Sequence, residues 1–144
     1  MAAEFNWTWE QGEDLIIQMV YEVGADEDST SPVDLSDFQF RMDIATEDSP
    51  PLRVLTFNSD DITGGGTGVD NVGPADNEVT MDSSGNISIL VSRVHTLTGG
   101  KILEQMALGK VRFKYDMFLR NSSGLQHKFL KGVIVVSPSI TQWV

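Results

Sequence analysis

The chain has 144 residues, a formal net charge of −11 and no cysteine. That length suits one domain able to bury a core without disulfides or metal, and the acidic balance argues against a nucleic-acid surface, which needs clustered Lys and Arg. No stretch approaches the roughly 18 apolar residues of a membrane span, and the Met1 to Trp9 start lacks the basic-then-apolar order of a secretory signal, so a soluble protein with no nucleic-acid or membrane partner is expected.

Glu4 to Trp9 alternates, with Phe5, Trp7 and Trp9 on one side, before a turn at Glu10, Gln11 and Gly12. Glu13 to Val23 reads as a second strand. Its Leu15, Ile16, Ile17, Met19, Val20, Tyr21 and Val23 are dense enough for a central position, and periodicity alone does not separate it from a short buried helix. Residues 24–33 carry Asp26, Glu27 and Asp28 and read as a solvated acidic loop. Ser36 to Thr46 is a clean half-buried strand, with Phe38, Phe40, Met42 and Ile44 inward and Asp37, Gln39, Arg41, Asp43 and Ala45 outward.

Leu52 to Phe57 is a further strand after the Pro50-Pro51 break. Residues 59–77 form a Gly-rich loop insertion, with glycine at 64, 65, 66, 68 and 73 and too few apolar residues for a core element. Glu78 to Asp82 and Asn86 to Ser92 flank Ser83-Ser84-Gly85 as a hairpin, with Val79, Met81, Ile87, Ile89 and Val91 inward. Between Arg93 and Gly109 the period becomes helical through Ile102, Leu103, Met106 and Ala107, which predicts one short helix.

Lys110 to Pro138 is a long hairpin. Val111, Phe113, Tyr115, Met117 and Leu119 share one face, Arg112, Lys114, Asp116 and Arg120 the other, with Phe118 the exception. Asn121 to Gly124 reverse the chain, and Val133 to Val136 form a β-branched run expected to be buried on both faces. The expectation is therefore all-β: a single antiparallel β-sandwich over 1–144, of immunoglobulin-like size, with one short helix and a long Gly-rich loop. A small barrel is the alternative.

Charge is split along the chain, at −17 over residues 1–82 and +6 over residues 83–144. The hairpin alone carries Lys110, Arg112, Lys114, Arg120, Lys128 and Lys131, so its outward face is a positive strip on an acidic protein. Two readings stand open: cross-strand pairing within the domain, or docking of copies head to tail through complementary potentials. Arg112, Lys114 and Arg120, with the apolar terminus Trp143 and Val144, are the candidate partner-binding residues.

Catalytic chemistry has little to build on. The chain offers no thiol, no phosphate-binding glycine motif and no HExxH, and His95 and His127 read as neutral or solvated histidines rather than bases. Asp60, Asp61, Asp70, Asp76 and Asn77 offer oxygens suited to calcium but at no EF-hand spacing, and Trp7, Trp9 and Trp143 read as core and terminal plugs before a stacking platform. No catalytic residue, cofactor or metal site is assigned.

The order of elements resembles a known family. WEQGEDLIIQM, VDLSDFQFRMDI, SSGNISILVS and FKYDMFLRNSSGLQHKFLKGVIVV, taken in sequence, resemble the small β-sandwich domain of tailed-bacteriophage virion proteins, notably baseplate upper-protein N-terminal domains and related tail or neck components. The likeness spans nearly the whole chain and departs from the family in the length of the Gly-rich segment. It implies a non-enzymatic structural subunit, located in the virion and assembled in the host cytoplasm. Its partners would be other phage virion proteins, met as a homo-oligomer within a symmetric assembly. Because the chain stops at Val144, where receptor-binding parts would begin, an adaptor or scaffold role is expected. A head decoration protein and a calcium-dependent carbohydrate-binding module are the alternatives.

Overall fold

The structure, a computed structural model, describes residues 2–24, 30–58, 77–97 and 100–139. Its larger sheet runs in the order β1 (Ala3–Glu4), β11 (Gln126–Ser137), β10 (Arg112–Arg120), β6 (Gln39–Thr46), β7 (Arg53–Asn58), and β2 (Trp7–Glu10) joins β11 beside β1. The smaller sheet has the order β3 (Leu15–Val20), β9 (Asn86–Val91), β8 (Asn77–Met81). A two-residue ribbon pairs β4 (Glu22–Val23) with β5 (Ser31–Pro32), while a 3-10 turn at Arg93–Thr96 and α1 (Lys101–Ala107) connect β9 to β10.

Alternation dictates which side of each strand is buried. On β6 Phe40, Met42 and Ile44 are buried, and on β10 Phe113, Tyr115, Met117 and Leu119, so both present an apolar row to Ile17, Ile87, Ile89 and Val91 of the smaller sheet. Each such side chain contributes about 1.5–3 kcal/mol on burial, and with no cysteine present this packing is what joins the two sheets. The result is an all-β sandwich with one short helix. In strand order, β3-β9-β8 corresponds to the B-E-D sheet and β11-β10-β6-β7 to the G-F-C-C′ sheet of an immunoglobulin-type domain.

Three expectations need correction. The sandwich is not wholly antiparallel, because β1 and β2 both run parallel to β11; the Ser139 N–H donates to Gln11 Oε1, which fixes the turn after β2 beside the end of β11. Glu13 to Val23 is not a central strand. With β1 and β2 committed to β11, β3 becomes an edge, and Ile16 and Val20 remain 61 % and 53 % exposed. Val133 and Val135 are only partly buried, on the outer face of the large sheet beside the charged Lys114 and Arg112 of the neighbouring strand. Residues 25–29 of the acidic loop, 59–76 of the Gly-rich loop with four of the five candidate calcium ligands, and Trp143 and Val144 lie outside the described residues.

Phe118, the exception in its strand, points outward half-buried, and the Lys128 ammonium sits 5.4 Å above its ring. A shift of register between Met117 and Phe118 places Lys128 opposite it. His95 is buried in the 3-10 turn rather than solvated.

Candidate interaction surfaces

The outer face of the large sheet is built by alternate residues of β10 and their cross-strand neighbours. Arg112, Lys114, Asp116, Phe118 and Arg120 point outward, opposite Val135, Val133, Lys131, Lys128 and Gln126 on β11. On the other side lie Ala45, Asp43, Arg41 and Gln39 of β6. With Arg53 from β7 and Lys110 at the rim, this face gathers eight of the ten bases of the chain, leaving only Arg93 and Lys101 elsewhere.

Much of that charge is paired locally. Arg112 Nε reaches Glu47 at 3.1 Å, Lys110 Nζ Asp48 at 2.6 Å, Lys128 Asp116 at 3.4 Å and Lys131 Glu4 at 4.0 Å. Each pair is solvent-exposed and screened, so it adds little to stability. The surplus is more informative. Arg41 and Arg53 share the single Asp43 carboxylate, at 3.4 and 3.8 Å; Arg120 donates to the neutral Gln39 Oε1 at 2.5 Å. Lys114 faces Val133 and Ala45, and forms no ion pair among the described residues. A shallow depression of about 650 Å³ lies over this region, bordered by Lys114, Arg53, Lys128 and Lys131 and also by the acids Glu4, Asp43 and Asp116.

A second surface is acidic. Three backbone bonds tie the strand ends together at one tip of the sandwich: Tyr21 N–H to Gly85 O at 2.8 Å, Val33 N–H to Tyr21 O at 3.1 Å and Leu35 N–H to Asp82 O at 3.0 Å. They bring Glu22, Asp34, Asp37 and Asp82 to one end, and none of the four forms an ion pair among the described residues. Asp82 accepts from the Asn86 side chain at 2.9 Å and from the N–H groups of Ser84 and Asn86, and these bonds hold its carboxyl below the usual carboxylate range. Asp34 is lowered in the same sense by the Ser36 hydroxyl and N–H.

The third surface is apolar. Between the edge of β3 and the β1–β11 edge runs a groove of about 610 Å³ lined by Phe5, Trp7, Met19, Tyr21 and Phe129. Alternation from the Tyr21–Gly85 bond turns the peptide groups of Ile16, Gln18 and Val20 away from β9, toward this open edge.

No protein-family model and no curated protein matches the chain. Among solved structures, two chains of a marsupial T cell receptor are similar to it. One is 12 % identical with a TM-score of 0.47, covering 92 % of this chain and 50 % of the receptor chain; the other is 11 % identical with a TM-score of 0.48, covering 95 % and 51 %. The chain spans about half the length of the receptor chains it matches.

Of the residues singled out from sequence, Arg112, Lys114 and Arg120 do share one outward face, but they differ in condition: Arg112 is ion-paired, Arg120 is hydrogen-bonded, and Lys114 is the exposed cation between apolar neighbours. Sequence reasoning missed Arg41 and Arg53, which come from the acidic half. The signal was the outward parity of Arg41, which joins the strip once β6 is placed beside β10. Among the described residues no group of three or more His, Asp or Glu is disposed to hold a metal ion, and no helix among them is long and apolar enough to cross a membrane.

The lowered carboxyls set an expected acid dependence. A group depressed in the folded state stabilises the fold above its unfolded value, here 3.8, and that contribution is lost as pH falls through the folded value. Asp82→Asn is therefore expected to melt below wild type at pH 7, with the gap closing below pH 3.8. Melting temperatures taken across that range check it; a gap independent of pH would refute the ionised cap.

Proposed function

We propose that the chain is a non-enzymatic structural subunit of a tailed-phage particle, in the tail, baseplate or neck, which binds neighbouring virion proteins in symmetric copies. The ordered resemblance of its strands to baseplate upper-protein N-terminal domains supports this reading. The observation that carries it is the segregation of charge on a rigid sandwich, with eight of ten bases on one sheet face and, at the tip, carboxylates that form no ion pair among the described residues. Such complementary patches give specificity and register to repeated contacts. Mass spectrometry of purified particles from the phage that encodes the chain is expected to recover it in stoichiometric amounts. Particles that contain none of it would overturn the proposal.

A head decoration role differs only in where the copies sit, and imaging of the same particles separates the two. The calcium-dependent carbohydrate-binding alternative rests on acids of the Gly-rich loop, and nothing among the described residues favours it.

A further inference from the structure

We propose that copies of this chain dock head to tail, the acidic tip of one copy seating on the cationic strip around Lys114 and Phe118 of the next. This deepens the reading above and rests on it for the symmetric assembly alone.

Each side of the contact is left incomplete by the fold. On the strip, among the described residues, Arg41 and Arg53 divide one carboxylate, Arg120 meets a neutral amide and no carboxylate, and Lys114 has Val133 and Ala45 across its strands. At the tip, Glu22, Asp34, Asp37 and Asp82 stand without cations among the described residues, on a frame held by three backbone bonds. Local hydrogen bonds keep Asp34 and Asp82 ionised well below neutral pH. Phe118 supplies a half-buried aromatic ring beside the surplus cations, the kind of anchor that docking surfaces favour.

A second copy fits this better than an unrelated acidic protein because both complements are on one chain in places that cannot meet. The tip lies beyond the ends of β3 and β9, whereas the strip lies on the outer surface of the large sheet. A tip-to-face contact is heterologous, so it leaves one tip and one face open and propagates into a ring or a filament. The overall charge of −11 opposes approach at low salt, but at about 0.15 M the Debye length of about 8 Å leaves contacts at ion-pair range in force.

The test is sedimentation of the purified full chain across a concentration series at about 0.15 M salt. Wild type is expected to sediment increasingly above the monomer as concentration rises. A face variant, Lys114→Glu with Arg120→Glu, and a tip variant, Glu22→Lys with Asp37→Lys, should each weaken self-association about a hundredfold. Neither alters Asp34 or Asp82, which brace the turns. Mixed together, the two should recover association, since the intact tip of the face variant meets the intact face of the tip variant and the reversed charges complement one another at the second contact, and a misfolded variant could not do this. A wild type that stays monomeric, variants that associate like wild type, or a mixture that stays monomeric each overturns the contact. Recovery of the chain in particles alongside any of these results would leave the virion reading standing and remove only this contact.

Discussion

Gly132→Ala is expected to lower stability by about 3 kcal/mol and to detach the parallel edge of the large sheet. Gly132 lies under the link between β1 and β2. Phe5 N–H donates to Lys131 O at 3.0 Å, and Val133 N–H donates to Asn6 Oδ1 at 3.0 Å, so the link is stitched to β11 on either side of the glycine. A Cβ at this position would run into the Phe5 carbonyl, reaching 2.8 Å from its carbon and 3.0 Å from Asn6 Oδ1. Backbone cannot swing aside as a flexible side chain does, so the strand must move. Movement would also break the Tyr115 hydroxyl bond to Phe5 O, and with it the Trp7 indole bond to the same hydroxyl. Asn6→Ala is the milder companion, removing one exposed bond at a cost of about 1 kcal/mol. Urea unfolding followed by tryptophan fluorescence measures both; a Gly132→Ala midpoint within error of wild type would show that β1 does not need this close approach.

The strands were legible because half-burial writes itself into every second residue. β6 and β10 have the predicted inward rows, and Gly85 and Gly124 stand in the predicted reversals. What alternation cannot report is the partner of an edge. Glu4 to Trp9 has the same pattern whether it lies beside β3 or beside β11, and the contacts that choose β11 span most of the chain, from Asn6 to Val133 and from Gln11 to Ser139. Placing β1 and β2 there turned an apparently central β3 into an exposed edge. The same limit applied to the candidate surface. Arg112, Lys114 and Arg120 were visible on one strand, but the sharing of Asp43 by Arg41 and Arg53 appears only when β6 and β7 are laid beside it. The tip carboxylates, separated by as many as 60 residues in sequence, are neighbours only through the backbone bonds of Tyr21, Val33 and Leu35.

Those backbone bonds make Gly85→Ala the sharpest probe of the tip, with an expected loss of about 3 kcal/mol. Two costs combine there. Gly85 has φ +80°, a conformation that costs an L-residue roughly 1–2 kcal/mol. Its added Cβ would also stand 2.6 Å from Tyr21 O and 3.2 Å from both the N and O of Val33. Tyr21 O is the acceptor for Val33 N–H, and Gly85 O the acceptor for Tyr21 N–H, so relieving the clash opens the bonds that frame the tip. Gly124→Ala isolates the first cost. Gly124 has φ +85° but open space around the missing Cβ, so it should lose only about 1 kcal/mol. Equal losses at the two glycines, measured by chemical denaturation, would deny the close approach. If instead Gly85→Ala loses more, it should also weaken head-to-tail association while every charge in the chain is unchanged. That outcome would separate the placement of the carboxylates from their mere presence, because net charge acts over a Debye length whereas a docking contact depends on where four side chains are held.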